Sequence, residues 1–288
     1  MTMLRLCIFL ACLLPALVLP ASERPDSVRP YRPVVGAYTL GVGSAHVCNT
    51  YLTPLHYSGF GATLAYERMQ AMAFSPERWV MQLDGRLVLD RTENPARNAT
   101  MTGLELRLSW AMTHLWRLPS APGLQLYAGG YTELSGGGLL LARNSNNPAQ
   151  AMAAWTVGAT ASAVYNMRLK RLPVTLRYQV RMPLTGMFFS PDYGELYYEI
   201  YLGNRSGLVH AAWPGNYMRL DQLVTADLHL GNTSLRLGYA CDIFSSKASD
   251  IVARNIAHRF VIGVTIESIS IGRSRGIDPG ARIISALY

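Results

Sequence analysis

The stretch VTLRYQVRM, residues 174–182, alternates without a break: Val174, Leu176, Tyr178, Val180 and Met182 are apolar, while Thr175, Arg177, Gln179 and Arg181 between them are polar. A period of two sends successive side chains to opposite faces of a strand. One face of this strand suits oil and the other suits charge. An antiparallel strand of a soluble protein can be two-faced as well, so the reading turns on whether the charges keep to one face along the whole chain.

They do. Leu104, Leu106, Leu108, Trp110 and Met112 alternate with Glu105, Arg107 and Ser109. Trp155 to Leu169 alternates over fifteen residues, well beyond the roughly five or six of an ordinary strand and ample for the ~9–11 of a tilted membrane strand. The same pattern recurs at 60–66, 79–89, 124–128, 196–202, 220–230, 235–243 and 260–266, with a glycine-rich first strand at 36–47 and a short one at 207–213, though YGELYYEIYLG (193–203) also suits a helix packed in or over the barrel. The polar faces collect Glu67, Asp84, Glu105, Glu133, Glu195, Glu199, Asp227, Asp242 and Glu267 against Arg86, Arg107, Arg168, Arg177, Arg181, Arg236 and Arg259, and the apolar faces of these strands carry no charge. An arginine at the lipid midplane costs ~2–4 kcal/mol, so this sorting is what a membrane barrel requires.

Composition agrees. Half of the 288 residues are hydrophobic and only 15% are charged, below the roughly 25% usual in a soluble domain. No stretch beyond the N-terminus could span a bilayer as a helix, so a membrane location implies strands. SPER (75–78), PSAPG (119–123), KRLP (170–173) and GNTS (231–234) read as tight turns, whereas 49–58, 90–102, 136–153 and 245–258 read as longer loops. Short turns on one side and long loops on the other suit an outer-membrane barrel. The expected fold is an all-β, transmembrane, antiparallel up-and-down barrel of twelve strands, or ten if 207–213 and its partner are not counted.

The organisation read from the chain is a signal peptide over 1–21, an N-terminal periplasmic extension over 22–33, the barrel over 34–272 and a C-terminal tail over 273–288. Arg5, the apolar run from Leu6 to Leu19 and the small Ala21 make the three parts of a secretory signal. Its removal leaves 25 basic and 18 acidic residues, net +7, with Cys48 and Cys241 as the remaining cysteines. Both thiols fall on apolar strand faces, which favours lone cysteines over a bridge. Parity flips after Glu267, which implies a bulge or a strand end there.

NTYLTPLHYSG (49–59), YGELYYEIYLGNRSGLVH (193–210), TADLHLGNTSLRLGY (225–239) and HRFVIGVT (258–265) resemble segments of an uncharacterised family of exported outer-membrane barrels from gut-type Gram-negative anaerobes, known only as a domain of unknown function. The resemblance implies an outer-membrane location after signal-peptide cleavage and supplies no activity.

Three functional readings stand. The lumen charges form a structural salt-bridge network, or they line a narrow porin-like route for a small solute. The rival from another class is an outer-membrane lipid hydrolase. GLVHAAWPGN (207–216) is similar to the His-x-Ser-Asn segment of outer-membrane phospholipase A, but Ala212 stands where the hydroxyl that His210 would deprotonate should be, and Ser206 is wrongly spaced. His46 and His56 flank the first loop, and a nucleophile within reach of His46 or His210 would favour the enzyme. His114, His229 and His258 are scattered without metal spacing, and no metal, cofactor or nucleotide motif is present. No clustered basic face for nucleic acid is seen; the expected partners are outer-membrane lipids, lipopolysaccharide among them through Arg91, Arg97, Arg143 and Arg254, and the barrel assembly machinery.

Overall fold

The computed structural model describes residues 30–145, 147–192, 194–203, 206–231, 233–269 and 282–287. The expected signal peptide over 1–21, most of the extension and the start of the tail lie outside the described residues.

Among the described residues eleven strands follow one another: β1 (Val34–Asn49), β2 (Thr53–Ala71), β3 (Trp79–Glu93), β4 (Thr100–Arg117), β5 (Leu124–Leu141), β6 (Ala149–Leu169), β7 (Leu172–Phe189), β8 (Val209–Ala212), β9 (Tyr217–Leu230), β10 (Thr233–Ala248) and β11 (Ile251–Ser268). A short helix, α1 (Tyr197–Tyr201), lies between β7 and β8. Each long strand pairs antiparallel with its neighbour, β1 pairs β11, and the β6–β7 pairing closes the ring. Ten strands therefore make a closed barrel, and β8 adds a short outer edge on the end of β7 through Gly186–Phe189. The count settles on the ten-strand alternative: residues 197–201 are a helix, and 209–212 pair outside the ring.

The connections correct the loop reading. One end of the barrel has the links 72–78, 118–123, 170–171 and 231–232, but the other is almost as tight, with 50–52, 94–99, 142–148 and 249–250; the long link is the one from β7 to β9. Ser249 and Asp250 both adopt positive φ, 46° and 63°, as a two-residue hairpin turn requires. Residues expected in loops extend the strands instead. His56 sits on β2, and Asp90 sits inside β3.

The alternation has the expected result. Leu40, Phe60, Leu64, Leu106, Leu108, Trp110, Tyr178, Phe260 and Ile262 are exposed on the outer wall, with Phe260 at 73%. Trp79, Trp116, Tyr165 and Tyr38 gather toward the end with the β2–β3 and β4–β5 turns, where indole and phenol suit a membrane boundary. Cys48 and Cys241 are free. Strand β11 ends at Ser268, one residue past the parity flip.

Candidate functional site

Inside the barrel the inward side chains form three layers. The middle layer is ionic. Arg177 Nη1 donates to Glu67 Oε1 at 2.6 Å, and Arg236 grips Glu67 Oε2 through Nη1 and both oxygens of Asp227 through Nε and Nη2, each at 2.7 Å. Arg107 makes a two-pronged contact with Glu133 at 3.1 Å and also pairs with Asp221. Arg86 Nε donates to Asp84 at 2.8 Å, and Arg181 lies 3.5 Å from the same carboxylate while donating to Ser109 Oγ at 2.9 Å. Arg259 joins Asp90 at 2.6 Å to Asp242 at 3.1 Å, and Arg219 meets Glu105 at 2.7 Å. Among the described residues eight carboxylates meet seven guanidiniums there. The near balance matters because an unpaired charge in so dry a place would cost several kcal/mol.

Local sequence makes room for these pairs. A Cβ on Gly61 would collide with Asp90 Oδ1 and press on Arg259 Nη2, so only glycine lets that ion pair lie flat on the β2 wall. Gln82 and Gln179 donate to one another across the lumen, at 3.4 and 2.9 Å, and tie Glu67 and Thr160 into the same layer.

Apolar layers close both mouths. At the end with the short β2–β3 turn, Val35, Met69, Val80, Leu115, Tyr127 and Val164 pack on Ala286 and Leu287, which are 0% and 1% exposed. The chain's own C-terminal segment therefore enters its barrel. Tyr127 donates to Ala286 O at 2.8 Å, Asn166 Nδ2 to Leu287 O at 3.1 Å, and a parallel bridge joins Tyr31 to Ile283. At the opposite end Phe188, Tyr217 and Phe244 pack with Ala154, Ala248 and Ala253, and beside them Val47, Leu52, Tyr57, Met101 and Leu141 form a second apolar group. Asn49 donates to Gln150 there, fully buried. The spaces left between the layers are about 50 Å³ each, one lined by Asp242, Arg219 and Arg259 and one by Glu67, Arg236 and Arg259, room for water rather than for a solute.

The β7–β9 connection is drawn over this second mouth. Tyr51 OH donates to Glu195 O at 2.7 Å, Ala151 N donates to Tyr197 OH at 2.6 Å, and the two phenol rings meet edge-on at 6.0 Å. Burial first, then Tyr197, Glu195 and Glu199, push the Tyr51 phenol up to about 12.

Several expected lumen residues stand elsewhere. Glu195 and Glu199 lie on this connection, where their carboxylates accept backbone N–H groups of Asp192 and Leu196; the strand read over 196–202 is the helix α1, so its two faces do not exist. Arg168 and Glu267 line a vestibule of about 670 Å³ at the turn-side mouth, together with Thr175, His229 and Ser234, and Ser285 donates to Glu267 at 2.6 Å. Conversely Asp90, Arg219 and Asp221 belong to the ionic layer and are not among the residues expected there. Arg219 and Asp221 share the parity of Asp227 on β9, which is the signal that finds them. His210 bonds the Ser190 carbonyl at 3.1 Å through Nε2, so no hydroxyl is its partner there. His46 Nδ1, in contrast, lies 3.0 Å from Ser58 Oγ on the outer wall.

A closed antiparallel barrel with an apolar wall and an ion-paired interior is the class that this geometry defines. Residues 4–275 match the family described as "Protein of unknown function (DUF3316)", and the chain belongs to it. No curated protein matches. Among solved structures the chain is similar to the outer membrane protease OmpT from Escherichia coli, at 8% identity and TM-score 0.47 over 86% of this chain and 100% of that one. It is also similar to the transport unit of the autotransporter AIDA-I from Escherichia coli, at 9% identity and TM-score 0.39 over 91% and 97% of the two chains. The translocator domain of the autotransporter NalP from Neisseria meningitidis follows, at 10% identity and TM-score 0.36 over 90% and 95%.

Proposed function

We propose that this protein resides in the outer membrane of a Gram-negative cell as a sealed barrel, and that it acts on lipid through its wall and rim rather than passing a solute through its lumen. The observation that carries this reading is the filled interior. Arg181, Arg236 and Arg259 are among the most deeply buried side chains of the protein, paired in one layer between apolar layers that close both mouths. A solute route would need water around those charges. Wall residues such as Leu64, Leu106 and Ile262, 56%, 48% and 52% exposed, are costly in water as a continuous band and favourable in hydrocarbon.

Arg91, Arg97, Arg143 and Arg254 are exposed at the α1 end of the barrel, Arg91 opposite Phe60 at the edge of the apolar band. Guanidiniums there suit lipid phosphates, those of lipopolysaccharide included, through charge-assisted contacts. Two experiments test the proposal. Liposomes loaded with a small anionic dye and carrying the folded protein should retain the dye, and dye loss above empty liposomes contradicts the sealed lumen. Substituting the four arginines with glutamine should lower the lipid phosphate that copurifies with the protein; unchanged retention removes the rim from the proposal.

A further inference from the structure

The outer wall of β11, β1 and β2 changes character in steps along the strands. Val42 and Phe260 are opposite one another and exposed, 36% and 73%. Two register positions further toward the α1 end from the Ser44 row stand His46 on β1 and Ser58 on β2, directly opposite each other, with His46 Nδ1 3.0 Å from Ser58 Oγ. Two positions further again, Arg254 faces Cys48. Successive same-face rows on a strand are ~7 Å apart. A membrane lipid lying against this wall, acyl chains on Val42 and Phe260 and phosphate at Arg254, has its ester linkage at the level between them. That level holds a hydroxyl hydrogen-bonded to an imidazole.

We propose that Ser58 and His46 form an acyl-transfer site on the outer wall, taking the ester of a membrane lipid with an anionic headgroup. The proposal rests on the lipid-facing wall of the preceding reading and is independent of the state of the lumen. The distance is within the reach of a general base for its nucleophile. Both residues stand on paired strands, so the geometry is held by the ladder rather than by a loop. Neither contact is needed inside the barrel, because both side chains are exposed. Glu93 faces Ser58 from the β3 side, and its charge disfavours a phosphate at that row; Arg91 stands one row below, opposite Phe60, so Arg254, one row above on the far side, is the headgroup partner at the rim.

The chemistry balances with water as the co-reactant. Ser58 Oγ bonds to the ester carbonyl carbon as its proton passes to His46 Nδ1. The carbon–oxygen bond to the glycerol side breaks, and that oxygen leaves with the proton from His46. Water then attacks the acyl-serine, giving its proton to His46, and the fatty acid departs as Ser58 Oγ regains a proton. One ester and one water become one acid and one alcohol.

The test uses the full folded chain in mixed micelles of detergent and phosphatidylglycerol carrying a fluorescent acyl chain, with folding checked by heat-modifiable gel migration. A fluorophosphonate probe should label Ser58, located by peptide mapping. Ser58→Ala should abolish both labelling and fatty-acid release; His46→Ala should slow both by ~10²-fold or more. Ser44→Ala, one row below, should leave both unchanged. A folded protein that neither labels at Ser58 nor releases fatty acid overturns the site, as does labelling that persists undiminished in His46→Ala. Extraction of the wild-type protein from membranes by alkaline carbonate would instead overturn the membrane reading itself, so the two failures are told apart.

Discussion

The two faces of β1 and β2 treat polarity in opposite ways. Toward the lumen, each of the eight acids of the ionic layer has an arginine within 4.0 Å, and Gly61 is kept small so that Asp90 and Arg259 can pair. Toward the outside, Ser58 and His46 pair with one another and stand exposed beside an apolar band. The difference is one of solvent. A buried charged group must find a partner or cost several kcal/mol, and the lumen's carboxylates find theirs in the arginines beside them. A polar group at the rim of the wall can meet water or headgroups, and is left available for chemistry.

Substitutions can break that contrast, and they rank by burial. Arg236→Met should have the largest effect, about 3–5 kcal/mol of lost stability, because Glu67 and Asp227 remain buried without their shared partner; urea unfolding in lipid vesicles reads it. Leu64→Arg, which sets a charge on the outer wall at a site 56% exposed, should cost ~2–4 kcal/mol in vesicles and little in detergent. Equal losses in both would mean that this wall does not face hydrocarbon.

Leu287→Ala tests the tail's place in the turn-side mouth. Its side chain is 1% exposed, so truncation should cost about 2 kcal/mol, while the lumen should stay closed because the ionic layer lies behind it. The smallest effect is expected at the other mouth. Tyr51→Phe removes the bond to the Glu195 carbonyl, worth about 1 kcal/mol. In the wild type the phenol is pushed up from 10.0 to about 12. An acid held protonated by the fold contributes stability below its unfolded pKa and loses it as pH rises through the folded one. The connection should therefore loosen between pH 10 and 12, seen as faster proteolysis of residues 190–208, and Tyr51→Phe should not show that step.

How far the sequence could be read follows from the same contrast. Alternation is visible where one face is oil and the other is charge, so 104–112, 155–169 and 174–182 are legible as strands with the correct faces. Beyond the apolar band the outer face turns polar, and the period disappears although the strand continues. That is why Asp90 in β3 and His56 in β2 read as loop residues. The run LYYEIYL (196–202) is apolar on nearly every residue, and a short run of that kind suits strand and helix alike; here it is α1. The tail's entry into the mouth depends on contacts with Tyr127 and Asn166, more than a hundred residues distant along the chain, and nothing local marks it.

The central claim is that the lumen is closed by its own side chains. Conductance of a planar lipid bilayer containing the purified, folded protein tests it most directly. A silent membrane is expected, at voltages where an open pore of similar strand number gives discrete steps. Steps that change ion selectivity when Arg107 or Arg219 is reversed to Glu would contradict it, and would make the ionic layer the lining of a channel.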